Sequence, residues 1–142
     1  MDIVPTSVSD TQVLELFSEH DDYMIDFLGN DKNCYTRYSA AENIEKVWVT
    51  YEENIPIGCI AYRTKTDDTG EVKRLFIRSG HRGKGISKAL LSEVKNYAKV
   101  QGCTKLFLDT RITLEPAVSL YRGFGFDITF RQGLYIQMEM NI

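Results

Sequence analysis

The sequence predicts a mixed α/β fold: an antiparallel meander, then a strand, a helix and a parallel strand. Three observations carry this. Residues 47–78 hold three β-rich runs separated by short polar turns. The apolar period then changes from that of a strand to that of a helix across the glycine-rich stretch Gly80–Gly85. A short apolar run, Lys105–Asp109, follows Gly102 and reads as a buried strand. Strand, crossover helix and strand imply a parallel pair with a right-handed connection.

Taken in order, residues 2–5 read as a short first strand ending at Pro5. Ser9 and Gln12 fit a capping box, and Val13, Leu16 and Phe17 stripe the helix it opens. A second, shorter helix is expected to carry Tyr23, Met24, Phe27 and Leu28 up to Gly29-Asn30. Glu19, His20, Asp21, Asp22 and Asp26 cluster there, either as a solvated helix face or as an acidic rim that attracts an amine. Residues 31–45 read as a loop, with a helical turn after Ser39 where Glu42 completes a capping box.

The meander begins with Val47–Tyr51. Glu52-Glu53-Asn54 makes a turn, and Ile55–Arg63 returns, with Pro56 and Gly58 near its start. Thr66–Gly70 is a polar turn into the third strand, Glu71–Arg78. The following helix carries Ile86, Leu90, Leu91, Val94 and Ala98 roughly one turn apart. It stops near Gly102, with Lys95 and Lys99 toward its negative end. Pro116 suits the first turn of a last helix bearing Ala117, Leu120 and Tyr121, which Gly123 and Gly125 close. Phe126-Asp127-Ile128 leads out to a final strand, Leu134–Met140, whose exposed edge would allow pairing with a second copy. Repeats and linkers are absent, so residues 1–142 read as a single domain.

Composition sets the broad class. The chain has 142 residues, 43% hydrophobic and 26% charged, with a net charge of −3. That is an ordinary soluble composition, without the basic face of a nucleic-acid binder. The three cysteines, Cys34, Cys59 and Cys103, are widely spaced and odd in number, which points to free thiols in a reducing compartment. No apolar run approaches a membrane span, and Met1–Pro5 lacks the features of a signal peptide, so a cytoplasmic location is expected. Neither His20 nor His81 has the company of metal ligands, so no metal is expected.

The stretch joining the third strand to its helix holds most of the chemistry. A strand that feeds a glycine turn and then a helix aims free backbone N–H groups, and the positive end of the helix dipole, at one spot. A phosphate fits there, with Arg82, Lys84 and Lys88 adding positive charge. The same glycines would also serve an ordinary tight connection. The stretch is not G-x-x-x-x-G-K-[ST], because Ile86 follows Gly85, and not G-x-G-x-x-G, because Lys88 holds its last position. It matches R-x-x-G-x-[GA] through Arg82-Gly83-Lys84-Gly85-Ile86-Ser87, with Ser87 as the final small residue. Further on, Ala117-Val118-Ser119-Leu120-Tyr121-Arg122-Gly123-Phe124-Gly125-Phe126 matches A-x-x-L-Y-x-x-x-G-F.

On these two motifs, in this order, the sequence resembles the GNAT superfamily of acetyl-CoA-dependent N-acetyltransferases, over about residues 45–126. Leu108-Asp109-Thr110 resembles the L-D-T of a small-protein branch. Leu114 departs from the pattern, standing where many members have an Asn that hydrogen-bonds the cofactor arm.

The resemblance implies a fold whose parallel strands splay apart, with acetyl-CoA inserted between them as the acyl donor. The motif Arg82, Gly83, Lys84, Gly85, Ile86 and Ser87 would hold its diphosphate. Leu75, Phe76 and Ile77 would offer backbone groups to its amide-rich arm, one N–H polarising the thioester carbonyl. Spacing alone makes Tyr121 a core aromatic of an amphipathic helix; the resemblance makes it the acid that protonates the departing thiolate. Glu71 is either a solvated hairpin-end carboxylate or, as in some members, the base that takes the amine's proton; Asp67 and Asp68 are either like-charged neighbours that favour its protonated form or plain turn residues. The implied reaction is direct transfer to a primary amine, probed first as a small molecule. The rival readings are a protein or peptide amine as acceptor, and a non-catalytic acyl-CoA sensor.

Overall fold

The computed structural model describes residues 1–28 and 43–142. Residues 31–42 of the expected loop, the capping box of Ser39 and Glu42, the Gly29-Asn30 helix end and Cys34 lie outside the described residues. Among the described residues, seven strands form one mixed sheet in the order β1-β2-β3-β4-β5-β7-β6. They are β1 (Asp2–Thr6), β2 (Lys46–Glu52), β3 (Ile55–Thr66), β4 (Thr69–Ile77), β5 (Lys105–Arg111), β6 (Asp127–Gln132) and β7 (Tyr135–Asn141). Three helices accompany them among the described residues: α1 (Thr11–Leu28), α2 (Ile86–Val100) and α3 (Glu115–Phe124).

The meander forms as its sequence predicts. Glu53 and Asn54 both take positive φ, 52° and 67°, the two-residue turn whose twist suits a hairpin. β4 and β5 are parallel, joined through α2. The α2 stripe, Ile86, Leu90, Leu91, Val94 and Ala98, is buried against the sheet. Burial of each large aliphatic there contributes roughly 1.5–3 kcal/mol. Gly102 ends the helix with φ 88°, and Cys103 N–H reaches back to the Ala98 carbonyl at 2.9 Å. On the opposite face, Val13, Leu16 and Phe17 of α1 pack with Val47, Val49, Cys59, Ala61 and Phe76. Cys59 and Cys103 are buried free thiols.

Several expectations change. α1 is one continuous helix rather than two, and Asp21, expected on a solvated face or acidic rim, is buried within it against Arg74 of β4. Its cap is Asp10 rather than Ser9: Asp10 Oδ1 accepts from Gln12 N–H at 2.8 Å. Asp127–Gln132 is a strand and not a lead-out. Consequently the final strand is no edge; β7 lies between β5 and β6, and β6 is the edge. Among the described residues, no helix is long and apolar enough to cross a membrane.

Candidate active site

The parallel pair does not stay paired. β4 and β5 are in register only at Thr69–Lys105, Gly70–Leu106 and Glu71–Phe107. Beyond these, β4 continues against β3 to Ile77 and β5 against β7 to Arg111, and the two facing edges part. Each edge keeps unpaired backbone groups, as an extended amide-bearing guest requires.

A bulge accompanies the splay. Cys59 faces Phe76 and Ala61 faces Lys73, so β4 carries one residue more than β3 there. Arg74 sits in this bulge at φ 56°, a backbone region that costs a side-chain-bearing residue about 1–2 kcal/mol. Its surroundings hold it. Arg74 Nη1 lies 2.6 Å from Asp21 Oδ1, and the guanidinium packs 4.8 Å from the Phe17 ring centre.

Between the parted strands lies a cavity of about 830 Å³. β4 supplies Val72–Ile77 and β5 supplies Leu108–Arg111 as its walls. His20, Tyr23, Met24 and Phe27 of α1 line it from one side of the sheet. Leu114, Ala117, Leu120 and Tyr121 line it around α3.

The glycine turn closes one end of this cleft. Arg82, Gly83, Gly85, Ile86, Ser87 and Lys88 all line it. Gly83 and Gly85 take φ 79° and 78°, so conformation alone favours glycine at both. Gly85 caps α2 without any side-chain hydrogen bond. The N–H groups of Gly83, Lys84, Gly85, Ile86 and Ser87 have no acceptor among the described residues. These are the donors that an anion at a helix start would take. Ile86 is buried and anchors the turn. Lys84 is exposed and is not part of the cavity wall. Arg82 is held in place, Nε donating to the Ile77 carbonyl at 2.9 Å and the guanidinium lying 4.8 Å from the Tyr23 ring centre. An unpaired strand edge leading to a cationic nest of free N–H groups fits a long amide ending in a diphosphate, which is the chemistry of a coenzyme A.

Tyr121 lines the same cleft from α3. The ring packs edge-to-face on Phe126 at 5.8 Å, and its hydroxyl has no hydrogen-bond partner among the described residues. Burial first, and then the Asp109 carboxylate, push its pKa up to about 12. The phenol is therefore protonated across the physiological range and open to the cavity. Asp109 is itself exposed and lines the same cavity from β5. Its Oδ2 accepts from the Tyr135 hydroxyl at 3.2 Å, and Gln137 Nε2 donates to that hydroxyl at 3.0 Å. Leu114 is buried and caps α3 with no side-chain hydrogen bond.

Glu71 is placed differently. It is buried rather than solvated, and its carboxylate meets Arg63 Nε at 2.8 Å and Lys73 Nζ at 3.9 Å. It does not line the cavity. Nor is the α1 cluster a free acidic rim. Asp21 is spent on Arg74, and Glu19 on Arg78, with 2.9 Å between Arg78 Nε and Glu19 Oε1. Asp109 was legible only as part of a motif; nothing in its spacing marks it as a cavity residue.

The acetyltransferase (GNAT) family model matches residues 12–126. The chain belongs to the acetyltransferase (GNAT) family. The curated N-acetyltransferase 8 of Homo sapiens is 33% identical over 107 residues, covering 72% of this chain and 47% of that protein. This GNAT chain spans about half the length of the curated relatives it matches. Among solved structures, the PaiA N-acetyltransferase of Thermoplasma acidophilum, in complex with coenzyme A, superposes with a TM-score of 0.81 at 20% identity, each chain covered completely (100%). A GNAT family acetyltransferase of Elizabethkingia anophelis with acetyl-CoA bound gives 0.73 at 20% identity, covering 99% of this chain and 97% of that one. The GNAT fold, with its splayed strands, is thus the fold of this chain.

Proposed function

We propose that residues 1–142 act as one N-acetyltransferase domain, moving the acetyl group of acetyl-CoA directly to a primary amine of a small molecule. The observation that carries this is the union of three features in one cleft: two unpaired strand edges, a cationic turn of free N–H groups at one end, and a protonated phenol in its wall. When bound, acetyl-CoA supplies an acetyl group activated as a thioester.

The chain's own residues would then act as follows. The N–H groups from Gly83 to Ser87 bind the diphosphate, with Arg82 adding charge and Ile86 anchoring the loop. The backbone of Leu75, Phe76 and Ile77 aligns the amide arm along β4, and one N–H there points at the thioester carbonyl. Tyr121 donates its proton to the departing sulfur. The cavity volume is in the range of small-molecule sites. Donor arm and acceptor must share it, which favours a compact amine.

The test is thiol release from acetyl-CoA over a panel of spermidine, phenethylamine, amino acids, aminoglycosides and lysine peptides. Turnover with a small amine is expected. Turnover confined to the peptides moves the acceptor to protein. Coenzyme A binding with no thiol release on any amine supports a sensor instead.

A further inference from the structure

Glu71, the carboxylate that the sequence offers as base, sits outside the cavity with its oxygens turned to Arg63 and Lys73. The acceptor amine needs a proton removed, because its ordinary pKa is near ~10.4 and an ammonium has no lone pair to attack with. A base must reach that nitrogen from inside the cleft.

We propose, building on the acetyl-transfer reading above, that Asp109 is the group that receives the acceptor ammonium and takes its proton. Four observations place it. It lies on β5, beyond the last β4–β5 pair, where the strands have parted. It lines the cavity and is open to an incoming solute. It lines the same cavity as Tyr121, so both ends of the transfer would share one space. Its carboxylate is steadied by the Tyr135 hydroxyl at 3.2 Å, itself held by Gln137. That leaves carboxylate acceptor sites for a cation. The charged and titratable groups around it are Tyr121 from α3, Tyr135 from β7, Lys73 and Glu71 from β4, and Arg111 on its own strand.

The proton balance closes. Asp109 takes one proton from the ammonium and gives it to solvent. The freed nitrogen lone pair forms the C–N bond, and the C–S bonding pair leaves on sulfur, where the Tyr121 proton joins it. Asp109 takes the second proton from nitrogen, and that proton restores Tyr121. Nitrogen has lost two protons: one remains on the thiol and one is in solvent.

The experiment compares Asp109→Asn, Asp109→Glu, Glu71→Gln and the parent chain, using whichever of spermidine, phenethylamine or a lysine peptide the parent turns over fastest. Asp109→Asn is expected to lower kcat/KM by about 10²- to 10⁴-fold near neutral pH. That deficit should narrow as pH approaches ~10, where the amine loses its proton to water unaided. Asp109→Glu should recover part of the rate, and Glu71→Gln should lose much less than Asp109→Asn. A readout without turnover accompanies these. By calorimetry, Asp109→Asn should bind coenzyme A as the parent does. It should bind the same amine, on the coenzyme-A-loaded protein, about tenfold or more weakly. Tyr135→Phe should show a smaller loss of rate with coenzyme A binding intact, which covers the case of an unstable Asp109→Asn. Parental kcat/KM in Asp109→Asn, with collapse in Glu71→Gln, overturns the assignment and leaves the acetyltransferase reading standing. A parent chain that turns over none of the amines overturns both.

Discussion

Arg74 Nη1 lies 2.6 Å from the Asp21 carboxylate, and both side chains are buried, one from the β4 bulge and one from α1. This pair ties the helix to the strand where β4 departs from regular pairing. Removing one partner of a buried pair leaves a charge without its compensation and typically costs about 3–5 kcal/mol. Asp21→Ala is therefore expected to destabilise the chain by about 3 kcal/mol or more, read by urea unfolding at constant m. A loss below about 1 kcal/mol would mean that the bulge is held by the sheet alone.

The neighbouring His20 makes stability depend on pH. Its ring stacks on Phe76 at 5.4 Å between ring centres. Burial first, and then Arg74, lower its pKa from 6.5 to about 4, with Asp21 opposing. The unfolded chain takes up a proton near pH 6.5 and the folded chain only near 4. Stability is therefore full above about 6.5 and falls as pH drops toward 4, by at most about 3 kcal/mol from this group. His20→Phe keeps a ring against Phe76 and removes the proton. Urea unfolding at pH 7 and pH 4.5 should show a smaller drop in the variant than in the parent.

What the sequence made legible was local and periodic. The change of period at Gly80–Gly85 marks the strand–turn–helix, because no other stretch pairs a β run with glycines and then a stripe like Ile86, Leu90, Leu91 and Val94. Edge strand β6 escaped notice because it is exposed on both faces apart from the half-buried Ile128, so it has no apolar alternation to read. The continuity of α1 escaped for the opposite reason: Asp21 is a polar residue in a buried position, and its partner Arg74 is 53 positions away. Glu71 is a different case: its partners, Arg63 across the hairpin and Lys73 two residues on, are close in sequence, and what the sequence does not show is its burial. Asp109 is tied to Tyr135, 26 positions away. Side-chain direction across a splay depends on where pairing stops, and β4 and β5 part after Glu71 and Phe107, a point that no residue pattern marks.

The glycine turn gives a test that separates conformation from crowding. An added Cβ at Gly85 would meet nothing within 4 Å, yet its φ is 78°. Gly85→Ala should thus cost about 1–2 kcal/mol through backbone strain alone. Relief of that strain would rotate the α2 start and misalign the N–H groups of Ile86 and Ser87. Coenzyme A titrated by calorimetry should bind Gly85→Ala about tenfold more weakly or worse. Unchanged affinity would detach this turn from diphosphate binding.

Tyr121 offers two readouts from one substitution. Tyr121→Phe keeps the edge-to-face contact with Phe126 and deletes only the hydroxyl. If that hydroxyl protonates the leaving sulfur, thiol release at pH 7–9 should fall by about 10²-fold or more, with coenzyme A affinity unchanged. Because burial and Asp109 push this phenol up to about 12, it is still protonated at pH 10, and a rate that declines below that pH belongs to another group. The raised pKa also acts on folding. The unfolded tyrosine ionises near ~10. Its contribution to stability is therefore complete below that pH and is lost as pH rises toward 12. Tyr121→Phe should flatten this alkaline fall in urea unfolding between pH 9.5 and 11. A variant that keeps both the parental rate and the parental alkaline slope would return Tyr121 to the role its spacing suggests, a packed aromatic of an amphipathic helix.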